Sequence, residues 1–188
     1  FFSANTKIEN MSGLFNLCSA LKTVPAGLFR GLEAVTNIST MFKGCTALES
    51  VPAGLFDDQA NVTSMNSLFS TCPALGNLPA DIFMNMTKVT SASYLYEGCT
   101  DMTEFPSIRQ MTSLKTVPAM WKDCSAITSV PADYFPASVS GGISVAYMFQ
   151  NCTALKSVPE GLFDDFSGVT TMNQMFENCT SLESLPAG

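Results

Sequence analysis

Cysteine recurs at positions 18, 45, 72, 99, 124, 152 and 179, at intervals of 27, 27, 27, 25, 28 and 27 residues. A near-constant period of this length marks a repeat architecture, a solenoid or a propeller, in which no unit can bury its apolar face alone and each stacks on the next. The same regularity constrains function. A stack of like units is a scaffold, and what it recognises is written on its surface rather than in a motif.

Counted from each cysteine, the columns are consistent. Three residues before it stands an aromatic: Phe15, Phe42, Phe69, Tyr96, Trp121, Phe149 and Phe176. Apolar residues fill the columns four and seven before, as Leu68 and Met65, and three and six after, as Leu75 and Leu78. Proline follows seven after in every unit: Pro25, Pro52, Pro79, Pro106, Pro131, Pro159 and Pro186. A Leu-Phe-type pair usually comes next, as in Leu55-Phe56 and Leu162-Phe163.

Each half of the unit predicts a local structure. Met65, Leu68, Phe69 and Cys72 stand at i, i+3, i+4 and i+7, the spacing of one face of a short helix. Thr63, with Thr36, Thr90 and Thr170 in the same place, is suited to cap that helix through its hydroxyl. The other half, Leu48 to Pro52, reads as extended, because proline disfavours helix for its predecessor and lacks the N–H a sheet needs. The expectation is one very short parallel strand per coil at Leu48–Pro52 and its equivalents, with a short helix opposite.

These columns resemble the BspA-like leucine-rich repeats of bacterial surface proteins, above all in the core Asn61-Val-Thr-Ser-Met-Asn-Ser-Leu-Phe-Ser-Thr-Cys72. The resemblance spans essentially the whole chain. The Val-Pro-Ala-Gly-Leu-Phe stretch departs from it and is more similar to other leucine-rich repeats. The expected fold is therefore α/β: a right-handed leucine-rich-repeat-like solenoid of seven coils of about 27 residues. It forms a single domain over residues 1–188. Phe1-Phe2 lines up with Leu55-Phe56, and the chain stops at Ala187-Gly188 where another Leu-Phe is due, so the sequence reads as a window of a longer array without polar capping units. Ser138 to Gly142 reads as a local loop.

Composition narrows the function classes. The apolar fraction of 46% supports a continuous core, while charged residues at 13% are about half the usual share. A net charge of −7 argues against a nucleic-acid groove, which needs clustered Lys and Arg. No apolar run is long enough to span a membrane. The chain has no histidine, which removes Ser-His and Cys-His nucleophile pairs and the usual zinc-ligand sets. One cysteine per coil at a core position reads as a buried small apolar residue, so free, metal-free thiols are expected. Asp57-Asp58 and Asp164-Asp165 have no counterpart at Arg30-Gly31 or Met84-Asn85, so no calcium ladder runs along the array. Asn10, Asn37, Asn61, Asn85, Asn151 and Asn178 begin Asn-x-Ser/Thr sequons that read as products of the repeat. No enzyme activity, cofactor or metal is expected.

What remains is surface. Thr23, Ser50, Asn77, Glu104, Ser129, Ser157 and Ser184 precede the prolines two columns on and form a small, mostly uncharged strip. The irregular units offer a more specific candidate. Residues 107–113 carry a two-residue deletion and 136–142 an insertion, and near them Tyr94 and Tyr147 stand five before their cysteines where other units have Gly13, Thr40, Ser67 or Gln174. Tyr94 and Tyr147, with Trp121 supporting from the core column, form the candidate binding patch, although aromatics covering a bent coil would read the same way. By the resemblance, the module sits outside the cell or on a bacterial surface and mediates protein–protein binding or adhesion to a protein or cell-surface ligand. The alternative is a passive stalk that presents another domain.

Overall fold

The computed structural model describes residues 2, 5–137, 139, 143–164 and 166–186. Most of the loop at 138–142, one residue of the Asp164-Asp165 pair and the terminal Ala187-Gly188 lie outside the described residues. Regular secondary structure is sparse: a strand β1 at Ile143–Ser144 pairs in parallel with β2 at Val169–Thr171. Isolated parallel bridges continue that line through Asn10, Asn37, Ser64, Ser91 and Thr116, each one repeat from the next. Short parallel pairings between successive repeats fit a solenoid.

The expected helices are absent among the described residues. The backbone donors explain why. Met65, Ser67, Phe69 and Thr71 each send their N–H to the following repeat, to the carbonyls of Ser91, Ser93, Leu95 and Glu97 at 2.6–3.1 Å. The amides between them close turns within their own repeat, Leu68 to Met65 at 3.3 Å and Ser70 to Ser67 at 3.2 Å. A helix would need every one of these donors for its own i→i−4 bonds. Instead they alternate between turn and neighbour.

Two residues in each such stretch have left-handed backbones. Five before the cysteine stand Gly13, Thr40, Ser67, Tyr94, Ala119, Tyr147 and Gln174, with φ between 53° and 67°. One before it stand Leu17, Gly44, Thr71, Gly98, Asp123, Asn151 and Asn178, with φ between 57° and 71°. Most of them stand third in an i→i+3 turn, as Ser67 does where Leu68 bonds to Met65 and Gly98 where Cys99 bonds to Tyr96, and positive φ there belongs to the type II turn. A pair of such turns brings i, i+3, i+4 and i+7 to one side much as a helix does.

The threonines also act differently from the expectation. Thr63 Oγ1 donates to the Thr36 carbonyl at 3.2 Å, and Thr90 Oγ1 to that of Thr63 at 3.0 Å. They tie one repeat to the preceding one and cap no helix. The expected strand line at Leu48–Pro52 is reduced to single contacts: Glu49 N–H to the Lys22 carbonyl at 2.9 Å, Gly76 N–H to that of Glu49 at 3.1 Å, and one bridge between Ser157 and Ser184. The prolines explain the limit, since they interrupt the donors. The continuous ladder lies eight before the cysteines, where no proline falls.

The core is a set of stacked files. Phe15, Phe42, Phe69 and Tyr96 follow one another at 5.4, 5.6 and 6.4 Å between ring centres, nearly parallel. Phe29, Phe56 and Phe83 form a second file at 5.9 and 6.3 Å. Each such pair adds about 0.5–1.5 kcal/mol beyond the area it buries. The first file breaks at the shortened repeat, where Phe105 fits between Tyr96 and Trp121 at 4.8 and 5.9 Å. Trp121 then meets Tyr134 edge-on at 4.7 Å before the stack resumes with Phe149 at 5.0 Å. The Tyr96 hydroxyl is sealed in this junction; burial raises its pKa well above the ordinary phenol range, and neighbouring Tyr134 adds to the rise.

Candidate functional site

The −5 column decides where large side chains can stand on the surface. Its backbone is held by the inter-repeat ladder: Tyr94 N–H to the Pro118 carbonyl at 2.9 Å, Ala119 to Ala146 at 2.9 Å and Tyr147 to Asn173 at 3.0 Å. The left-handed conformation favours glycine, because any Cβ crowds the following carbonyl and costs roughly 1–2 kcal/mol. A bulky residue at such a φ is a notable departure. Two tyrosines occupy this column all the same, Tyr94 with φ 57° and Tyr147 with φ 61°. Tyr94 is 37% exposed and Tyr147 half-buried, and Ala119 lies buried between their repeats.

Both rings line one shallow recess of about 230 Å³ together with Lys122 and Gln150. Trp121 is wholly buried, does not line this recess, and packs its ring against Phe105, Tyr134 and Phe149 in the core. Lys122 Nζ lies 3.4 Å from Glu97 Oε1 and 3.4 Å from Asp123 Oδ2. Burial alone would lower its pKa, but the charges of Asp123 and Glu97 outweigh this and raise it, so the ammonium stays charged and partnered. Glu97 is braced in turn by Ser70 Oγ at 3.0 Å. Gln150 donates its side-chain amide to Glu177, and Asn178 donates to Asn151 at 2.8 Å, which bonds on to Asp123. The rings therefore stand over a floor of polar groups already tied to one another.

The sequence puts the two tyrosines in one column, and the structure sets Lys122 and Gln150, which the sequence did not single out, in the same recess. Their column holds Asn16, Lys43, Ser70, Glu97, Lys122, Gln150 and Glu177 and carries no pattern to mark a site. The proline-side strip also has a recess, about 440 Å³ between Glu104, Phe105, Ser129 and Val130. Asp58 accepts the Gly31 N–H at 2.7 Å, which is a turn contact one repeat away. Among the described residues no group of carboxylates or thiols is placed to hold a metal, and no helix is long and apolar enough to cross a membrane.

The cysteine column is structural in its geometry. Each thiol after the first donates to the aromatic-column carbonyl of the preceding repeat: Cys45 to Phe15, Cys72 to Phe42, Cys99 to Phe69, Cys124 to Tyr96, Cys152 to Trp121 and Cys179 to Phe149, all at 3.0–3.1 Å. Burial pushes the Cys72 thiol up to about 12, with Cys45 nearby adding to the shift. A thiol in that state is a hydrogen-bond donor and not a nucleophile.

A family model described as "Mycoplasma protein of unknown function, DUF285" matches residues 4–107 and again 83–186. Similar solved structures include a leucine-rich repeat protein of T. pallidum, at 20% identity and a TM-score of 0.46, covering 73% of this chain and 56% of that one. A leucine-rich repeat protein from Bacteroides ovatus is 17% identical over 93% of this chain and 69% of that one, with a TM-score of 0.37. A leucine rich cell surface protein from Faecalibacterium prausnitzii is 15% identical over 94% of this chain and 62% of that one, with a TM-score of 0.23. This chain thus spans little more than half the length of the T. pallidum protein. No curated protein matches it.

Proposed function

The chain belongs to the DUF285 family, and we propose that it is a non-enzymatic recognition module, a single right-handed solenoid of seven coils that mediates binding or adhesion outside the cell or on a bacterial surface. The observation that carries this reading is the pair Tyr94 and Tyr147. Both hold a backbone conformation that disfavours them, and both face one recess. The conformation itself recurs in every repeat; what sets these two places apart is a large aromatic side chain where other repeats carry Gly13, Thr40, Ser67, Ala119 or Gln174. Exposed aromatics supply contact area at a low entropy cost. The partner is a protein or cell-surface ligand, and Trp121 holds the patch from below.

The test is adhesion of the Tyr94→Ala, Tyr147→Ala double variant to cells or matrix. A large loss at unchanged melting temperature supports the patch. Unchanged adhesion at unchanged melting temperature rejects it and turns attention to the Ser/Thr-Pro strip. A spacer role is the second reading. It is favoured by the inter-repeat bonds from Met11 to Asn37 and onward along the array, which make a stiff body whatever its surface does.

A further inference from the structure

The tyrosines are spaced for a ligand that itself repeats. Tyr94 and Tyr147 lie two ladder steps apart, through Pro118–Ala119 and Ala146. At about 4.8 Å per step this separates them by about 10 Å along the stack. In an extended β-1,4-linked glycan each sugar ring is flipped relative to the last, so the same face recurs at every second residue, over a closely similar distance. Such a chain laid along the stack offers one face to Tyr94 and the same face, two residues on, to Tyr147. The intervening position, Ala119, is buried and raises nothing between them.

The charges in the recess favour a neutral occupant. Lys122 is already paired with Glu97 and Asp123 at 3.4 Å each. An anionic partner would compete with two fixed carboxylates for that ammonium, and a cationic one would meet the ammonium itself. A polyhydroxylated ligand needs neither arrangement undone: it can accept from the remaining N–H of Lys122 and exchange hydrogen bonds with Gln150, while its C–H faces pack on the phenol rings.

We propose that Tyr94 and Tyr147 are the two stacking platforms of a site for an extended, neutral β-1,4-linked glycan, with Lys122 and Gln150 bonding its hydroxyls. This rests on the tyrosine patch being the recognition surface, and it names the ligand class of that patch.

The test is calorimetric titration of the intact chain with cellohexaose and chitohexaose, with maltohexaose as the α-linked control and the matching β-linked disaccharides as short controls. At least one β-linked hexaose is expected to bind, and maltohexaose is not, because its linkage curls the chain away from a straight line of platforms. The disaccharide reaches one platform only and is expected to bind about tenfold more weakly. Tyr94→Ala and Tyr147→Ala are each expected to lose about tenfold, whereas the Phe variants keep the stacking face and most of the affinity. If a variant unfolds, Tyr94→Gly replaces it, since Gly13 already occupies this column. Failure of wild type to bind either β-linked hexaose overturns the proposal, as does equal binding of maltohexaose or full affinity in Tyr147→Ala. Should adhesion depend on the tyrosines while no hexaose binds, the patch stands as a protein-binding surface and the glycan assignment falls. Hexaose binding without any effect on adhesion upholds the glycan site and removes the adhesion role.

Discussion

The Cys72 thiol donates to the Phe42 carbonyl at 3.0 Å, thirty residues earlier in the chain. That oxygen lies at the same corner of its repeat as the carbonyls used by Cys45, Cys99, Cys124 and Cys152. A cysteine here fills a small apolar space and places a donor against the stack's own backbone. Cys72→Ser keeps a donor facing a ready acceptor, so it is expected to destabilise by about 1 kcal/mol, the ordinary scale of one intramolecular hydrogen bond. Urea unfolding measures this, and a loss of 3 kcal/mol or more would mean that the hydroxyl does not reach Phe42.

Stability should fall in alkali. The unfolded Cys72 thiol loses its proton near 9.0 and the folded one near 12. A raised thiol pKa means that the folded state holds the proton more tightly, so its contribution is fully present below pH 9 and is lost as pH rises toward 12. The melting temperature should be level from pH 7 to 8.5 and then decline, and Cys72→Ala should shallow that decline. In native labelling at pH 8, Cys18, which is exposed, should react with a thiol reagent, while buried Cys72, Cys99 and Cys124 should react only on unfolding.

Gly98 has φ 71°, and an added Cβ would meet Thr71 at no less than 3.5 Å. Space is therefore adequate, and only the backbone resists. Gly98→Ala is expected to cost about 1–2 kcal/mol, the left-handed penalty alone. Tyr94→Gly should move the other way and hold or raise the melting temperature. Equal losses from both would show that the left-handed backbone does not govern stability at these two places.

The Asn66 side chain joins two successive repeats. Its Oδ1 accepts the Ser93 N–H at 2.9 Å and the Ser91 hydroxyl, and its amide donates to Ser64 Oγ at 3.3 Å. Asn66→Ala removes these bonds from a half-buried place and is expected to cost about 1–2 kcal/mol. Hydrogen exchange should rise at Ser93 more than at Cys72; uniform exchange would assign no local role to the asparagine.

The sequence by itself determined the period, the core and the direction of stacking contacts. Cysteine spacing set the unit, and the columns of Phe42, Leu48, Met65 and Phe69 named buried residues, because a side chain repeated at one place in every unit must face its own copies. It also placed Tyr94 and Tyr147 on one line. The tertiary structure alone decided how the backbone passes between those columns. The spacing of Met65, Leu68, Phe69 and Cys72 suits a helix or a pair of type II turns equally well. The choice rests on whether the N–H groups of Met65, Ser67, Phe69 and Thr71 find carbonyls in the next repeat, which no local pattern specifies. Gly13, Gly44 and Gly98 at the left-handed places were the trace of it in the sequence, obscured because Ser67, Tyr94 and Tyr147 hold the same conformation without being glycine. The recess was hidden for the same reason: Gln150 stands beside Tyr147 in one repeat, but Lys122 meets both tyrosines only across repeats, through stacking that brings residues of successive repeats side by side.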